Sequence, residues 1–316
     1  MIRVGMMDEF SFIECLRKKV AGSSCVSLGI GDDAAVLNVA KGKQLVVATD
    51  AIVENVDFRM RHLSPEKIGR KALAINLSDL AAMGAKPTSF VVTIGKPVSV
   101  TTAWLFRFYD GLLKLARAYG VCCVGGDISR AKEFFANVTI LGEVTKGRAV
   151  TRSGASEGDR IAVTGSLGGS LLRHHHDFIP RLREADLLVR GRFATAMIDI
   201  SDGLVQDLGH ILKASGVGAS LDLDQVPVSR DALKMARGES LEARGRALND
   251  GEDFELLFTV RPQRKRELEK IWGKHFPRVP LTWIGRIERI APQIFWKFKG
   301  EKAPAPRTTR KGFRHF

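Results

Sequence analysis

The sequence has no apolar run near the roughly 20 residues that a membrane-spanning helix needs, so no membrane span is expected. Its first ten residues, MIRVGMMDEF, hold Arg3, Asp8 and Glu9 where a secretory leader has a long apolar core. The four cysteines, Cys15, Cys25, Cys122 and Cys123, form no Cys-x-x-Cys pair and no metal-ligand spacing. They read as free or buried thiols in a reducing compartment, and a cytoplasmic location is expected. None of the three Gly-Lys pairs is followed by Ser or Thr, which excludes a Walker A loop. The catalytic-loop and DFG motifs of protein kinases are missing too. Internal repeats and low-complexity tracts are absent.

The 316 residues, 45% hydrophobic and 27% charged, have ordinary globular composition and enough length for two domains. Acidic residues are the scarcer charge, and the net charge is +14. Lysines and arginines are spread along the chain, with clusters at 261–270 and 297–314 that do not interleave aromatics or match a DNA-binding motif. A solvated basic face is therefore expected over a nucleic-acid surface, and its field would favour a phosphorylated small molecule. β-branched runs at 44–49, 89–94, 121–124, 138–141, 160–164, 196–200 and 254–260 read as strands. Helical spacing covers 67–84, 102–119 and 203–215. The polar, glycine-bearing stretch 142–158 marks a boundary between domains at 1–147 and 148–316. The last twenty residues, basic and proline-containing, read as partly extended. The fold class is α/β (α+β) in two domains.

Carboxylates sit where the pattern wants apolar side chains. Asp79 shares a helical face with Ala72, Ile75, Ala82 and Met83. An ionised carboxylate there costs several kcal/mol unless it is paired or bound to a cation. Asp50 ends the apolar run VVATD, Asp127 ends CCVGGD, and Asp199 and Asp202 lie at the strand-to-helix junction MIDISDGL. Asp32 and Asp33 stand together in GIGDDAAVL. One of these alone is explained by a turn or an N-cap, as Ser201 is for the helix it precedes. Their recurrence points to hard oxygen donors, with hydroxyls such as Thr49, for magnesium and its phosphate ligands. Gly125-Gly126 would admit backbone amides to an anion, and Arg152 suits a bidentate phosphate clamp. The GSLGGS turn at 165–170 has no lysine and is weak evidence for phosphate binding. The run His174–His176 points in different directions on any regular element, so a surface or interdomain role is expected over one metal site.

GIGDDAAVL, ATDAIVENVDF, KALAINLSDLAAMGA, GGD, TRSGA, GDRIAVTG, MIDISDGL and GEDFELLFTV occur in the order seen in thiamine-monophosphate kinases. The chain resembles that family over about residues 8–290, with an echo in the terminal GFRHF. NLSDLAAMGA and DISDGL also resemble the wider aminoimidazole ribonucleotide synthetase-like superfamily. The resemblance implies an N-terminal ATP and magnesium domain whose strands build a β-barrel across a homodimer, and a C-terminal α/β domain that covers it. It implies phosphoryl transfer from ATP to thiamine monophosphate, giving thiamine diphosphate, with several magnesium ions and potassium as a further candidate ion. Asp33, Thr49, Asp50, Asp79, Asp127, Asp199 and Asp202 match metal ligands, with Asp199, Asp202 and Arg152 in catalytic roles. Gly126, Asp127, Arg152, Ser201 and Tyr109 match nucleotide contacts, and Asp57, Glu252 and Phe313 match substrate contacts. The chain departs from the family pattern at Asp57, where His is frequent, at Ala48, where Ser is frequent, and at Asn249-Asp250, where a glycine-rich turn is expected. The rival readings are a superfamily enzyme that activates a carbonyl oxygen by phosphorylation, and a basic nucleic-acid-binding protein. No membrane and no nucleic-acid partner are expected.

Overall fold

A computed structural model describes residues 9–20, 24–28 and 35–305, so Asp32, Asp33 and Phe313 lie outside the described residues. The chain divides into two compact units. The first runs to Leu80 and resumes over Ala85–Gly147, and the second comprises Ala81–Gly84 and everything from Arg148 onward.

In the first unit, α1 (Glu9–Lys19) precedes the short strands β1 (Val26–Leu28) and β2 (Val36–Leu37), which pair with each other. There follow β3 (Lys43–Val53), α2 (Pro65–Ala82), β4 (Lys86–Lys96), α3 (Thr102–Tyr119), β5 (Cys122–Arg130) and β6 (Phe135–Thr145). The sheet order is β3-β6-β4-β5, with β4 and β5 parallel and the other pairs antiparallel. Parallel neighbours need a crossover, and α3 supplies it. Thr101 starts α3 by accepting the Trp104 N–H at 3.2 Å, and Gly120 ends it at φ 67°. Alternate residues of the inner strands, Phe90, Val92 and Ile94 on β4 and Ala136, Val138 and Ile140 on β6, are fully buried. Among the described residues, β3 and β5 are the edges of an open four-stranded sheet, and no closed barrel forms.

The second unit holds β7 (Arg160–Thr164), α4 (His174–Asp177), α5 (Leu182–Arg190), β8 (Ala194–Asp199), α6 (Leu204–Ser215), β9 (Gly218–Asp222), α7 (Arg230–Met235) and α8 (Ser240–Asn249). β10 (Leu256–Val260), α9 (Lys265–His275), β11 (Leu281–Glu288), β12 (Ile294–Phe298) and β13 (Glu301–Ala303) complete it. Seven strands run in the order β13-β12-β9-β11-β7-β10-β8. Every residue of β10 is buried, because the sheet is covered on both faces. Leu257 joins Ile161, Val163, Ile198 and the α6 residues Leu204, Leu208 and Ile211 on one side. Leu256, Phe258 and Val260 join Ala162, Met197, Leu188 of α5, and Leu268 and Trp272 of α9 on the other. Burial on both faces makes these strands continuous apolar runs, and β8, at the sheet edge, carries its carboxylate where the run stops. The basic stretch around α9 forms local surface ion pairs, Arg264 to Glu267 and Lys265 to Glu269, in line with a solvated face.

Candidate active site

In the first unit, β3 carries Thr49 and Asp50, both exposed, with Ala48 half-buried before them. The Thr49 hydroxyl lies 3.0 Å from Asn137 Oδ1 and from Thr139 Oγ1 on the neighbouring β6. The backbone at Asp50 is gripped from α2 by the fully buried Asn76. Asn76 Oδ1 accepts the Asp50 N–H at 3.0 Å while its Nδ2 donates to the Ala72 carbonyl at 3.0 Å. Asp79 lies three residues further along α2 and is half-buried, so helical spacing puts it on the face that Asn76 turns toward β3. Asn76 was legible as a polar residue inside KALAINL, but nothing local says which backbone it serves.

Asp57 has committed one oxygen of its carboxylate, which accepts the Val53 N–H at 2.7 Å. The buried Lys71 donates to the Asp57 carbonyl at 3.0 Å, so this residue also closes the turn after β3.

Gly126 and Asp127 lie on β5, at the opposite edge of the sheet from Asp50. Register places Asp50 opposite Val138, Val138 opposite Val92, and Val92 opposite Gly126. Three strand spacings of about 4.8 Å make roughly 14 Å along the sheet, too far for one ion to bind both aspartates. A side chain at Gly126 would put Cβ 2.2 Å from the Val92 carbonyl oxygen, so only glycine lets β5 approach β4 here. Tyr109 of α3 lines a cavity of about 90 Å³ together with Gly125, Gly126, Asp127, Cys123 and residues of α1. Burial raises the Tyr109 hydroxyl above the usual tyrosine range and pushes the Cys123 thiol up to about 12, so both are neutral. The residues matched to nucleotide contacts in this unit thus share one small, mostly apolar cavity with an aspartate at its rim.

The second unit gathers more. β8 ends at the buried Asp199, and Ile200-Ser201-Asp202-Gly203 turns the chain into α6. Asp207, one turn into α6 and 1% exposed, reaches back so that one carboxylate oxygen accepts the N–H groups of Asp202 and Gly203, each at 3.1 Å. Gln206 donates to the Asp202 carboxylate at 2.8 Å. Burial, and then the charges of Asp199 and Asp202, push the Asp207 carboxyl up to about 8. Ligand atoms of Asp202, Asp207 and His210 lie within 4.8 Å of one another. Two carboxylates and an imidazole, in a place where burial first and neighbouring carboxylates second disfavour the charged form of Asp207, fit a divalent cation. Asp207 is the functional residue that sequence reading missed, although it shares a helical face with Leu204, Leu208 and Ile211 as Asp79 does with its own neighbours.

Arg152 is exposed, in a segment held along the free edge of β8 by the Met197 N–H, which donates to the Thr151 carbonyl at 3.0 Å. Ser215 donates to the Arg152 carbonyl at 3.2 Å. Glu252 comes to the β8–α6 turn from the β10 side. Its N–H donates to the Ser201 carbonyl at 2.7 Å, and the Phe254 N–H donates to the Ile200 carbonyl at 2.8 Å. Asp199, Ser201, Asp202, Asp207 and Glu252 therefore gather at the end of β8 that leads into α6, whereas the Arg152 backbone lies alongside β8 near Met197 and the last residue of α6.

The glycine-rich turn does not hold phosphate amides free. Gly168 and Gly169, at φ 83° and 73°, donate to Asp253 Oδ1 at 2.9 Å and Asp250 Oδ2 at 3.1 Å. Ser170 donates to the Gly251 carbonyl at 2.6 Å. The turn binds the protein's own carboxylates, and Asp250, which stands where a glycine-rich turn was expected, is one of them. The histidine run is likewise inside the fold: His176 is buried, and His174 Nε2 lies 3.0 Å from the Asp253 carbonyl.

The chain matches the family described as AIR synthase related protein, its N-terminal domain over residues 31–144 and its C-terminal domain over residues 156–275. It is 41% identical over 298 residues to the thiamine-monophosphate kinase of Rhodopirellula baltica, covering 92% of each chain. A solved thiamine-monophosphate kinase from Stenotrophomonas maltophilia K279a is similar with a TM-score of 0.81 at 34% identity, covering 94% of this chain and 98% of that one. A structure of AaThiL complexed with AMPPCP and TMP has a TM-score of 0.74 at 29% identity and covers 99% of both chains.

Proposed function

The chain belongs to the thiamine-monophosphate kinases of the AIR synthase related family, and from that membership we infer that it transfers the γ-phosphoryl group of ATP to thiamine monophosphate, giving thiamine diphosphate. It is an enzyme, a phosphotransferase of thiamine diphosphate synthesis. The single observation that carries the reading to this chain's own residues is the gathering of Asp199, Ser201, Asp202, Asp207 and Glu252 at one end of β8.

The acceptor already bears a phosphate, whose anionic oxygen is a competent nucleophile. Little general-base help is needed, and the burden is to align two anions and stabilise charge on the group in transit. Arg152 supplies positive charge to the phosphates; in the first unit Gly126 and Tyr109 are the nucleotide residues, and in the second unit Ser201 is. Asp199 and Asp202 in the second unit, and Asp33, Thr49, Asp50, Asp79 and Asp127 in the first, are the residues that would hold magnesium. Magnesium, when bound, offsets the repulsion between the phosphates and the charge that develops in transfer. Glu252 is the acceptor residue of the second unit, and Asp57 and Phe313 keep the acceptor roles that the resemblance gives them. Residues 1–147 form the proposed ATP- and magnesium-binding and dimerisation domain, and residues 148–316 the substrate-covering domain, which adds its own metal and nucleotide residues. A second copy of the chain completes the open sheet at the β3 edge, where Leu45 and Val47 are 46% and 57% exposed on one face. The enzyme works in the cytoplasm; among the described residues no helix is long and apolar enough to cross a membrane.

The test is incubation of the purified chain with ATP, magnesium and thiamine monophosphate, followed by chromatography and thiochrome fluorescence of thiamine diphosphate. Magnesium-dependent product is expected. Tight binding of magnesium-ATP without any thiamine diphosphate would overturn the assignment and favour a different acceptor.

A further inference from the structure

The loop Gly251–Phe254 is strained. Glu252 and Phe254 hold φ of 52° and 49°, the left-handed region, at a cost of about 1–2 kcal/mol each for a side-chain-bearing residue. Such a conformation persists only where its surroundings fix it. Part of the fixing comes from Ile200 and Ser201, as described. The rest comes from residues 170–178. Ser170 holds the Gly251 carbonyl, His174 meets the Asp253 carbonyl, and the Phe178 ring stacks on Phe254 with centroids 4.2 Å apart and planes 18° apart. His175, between these, turns to the side chain. Its Nδ1 lies 3.6 Å from Glu252 Oε2, with the two side chains only 12% and 25% exposed. That separation is longer than a hydrogen bond, but with both side chains largely shielded from solvent the imidazole lies against the carboxylate and limits its rotamers.

Thiamine monophosphate presents to a carboxylate a cationic heterocycle and an amino group. A carboxylate selects such a ligand only if its own orientation is set beforehand, since each free rotamer raises the cost of binding. Glu252 has its backbone set by Ser201 and the strained loop, and its carboxylate set by His175. We propose that His175 is a positioning residue for acceptor recognition: it holds the Glu252 carboxylate toward the cationic, amino-bearing end of thiamine monophosphate, while His174 and Phe178 lock the loop beneath it. The inference rests on the reading of Glu252 as an acceptor contact.

The test is a double-mutant cycle on the full chain, with kcat and KM measured for both substrates in the parent, His175→Ala, Glu252→Gln and the double variant. His175→Ala is expected to raise KM for thiamine monophosphate about tenfold, equivalent to about 1.4 kcal/mol, while kcat and the KM for ATP stay within about twofold. Glu252→Gln is expected to raise the same KM at least as much, and the double variant to be no worse than Glu252→Gln alone, because the two residues act as one unit. His175→Asn, whose amide can place a polar atom where the imidazole Nδ1 lies, should recover part of the loss, and a parental melting temperature in His175→Ala shows that the effect is not misfolding. An unchanged KM in His175→Ala beside a raised KM in Glu252→Gln would overturn the proposal alone, as would effects that multiply in the double variant. An unchanged KM in Glu252→Gln would remove the reading of Glu252 and the proposal with it.

Discussion

At the scale of single residues, the carboxylates around the β8–α6 turn divide by environment. Asp202 is half-buried and oriented by Gln206, whereas Asp207 is buried and spends its oxygen on two backbone N–H groups. Asp202→Asn should lower kcat by about 10²–10³-fold, the scale of losing one preorganised electrostatic group, and leave the melting temperature nearly unchanged. Near-parental turnover in that variant would contradict the role given to the turn. Asp207 has a pH consequence. Its folded-state pKa of about 8 lies above the ordinary value of 3.8, so the fold favours the protonated form. The stability it contributes is present at low pH and is lost as pH rises from about 4 through about 8. Melts in chelator at pH 5, 6.5 and 8 should show stability falling, and Asp207→Asn should flatten part of that slope. Magnesium should reverse the trend, raising the melting temperature most at the upper end of this pH range, where Asp207 has lost more of its proton.

At the scale of elements, the strands and helices were legible because their periods are local. Thr102–Tyr119 and Arg160–Thr164 form over the residues expected from spacing and β-branching, and α6 begins one residue from its expected start. The site was legible only in part. Asp79 and Asp207 obey the same argument, a carboxylate on an apolar helical face, yet only the first was read, because Asp207 follows the more conspicuous DISDG turn. The partners of GSLGGS could not be read at all. Its glycines announce left-handed backbone, but the Asp253 that Gly168 binds is 85 residues away. Asp50 and Asp127, which end similar apolar runs but lie inside β3 and β5, fall on opposite sheet edges, since strand order is a long-range property. One substitution tests the glycine turn directly. A Cβ at Gly168 would lie 2.5 Å from the Ala247 nitrogen at φ 83°, so Gly168→Ala should cost about 1–3 kcal/mol in urea denaturation. An unaffected midpoint would mean that the turn is not locked as described.

At the scale of the whole molecule, the chain divides into two compact units, and among the described residues the first holds an open sheet with Leu45 and Val47 exposed on its edge strand. Leu45→Lys with Val47→Lys should convert a particle of twice 34.7 kDa into one of 34.7 kDa in light scattering. A parental particle already at the single-chain mass would contradict the paired sheet. The central claim is that phosphoryl transfer goes from ATP directly to the phosphate of thiamine monophosphate at the aspartate-bearing turn. The most direct measurement uses ATP labelled at the γ-phosphate, with magnesium and thiamine monophosphate, and asks where the label goes. The expected result is one label per turnover in the terminal phosphate of thiamine diphosphate, formed about 10²–10³-fold more slowly in Asp202→Asn. Label recovered only as inorganic phosphate, with thiamine monophosphate unconsumed, would contradict it.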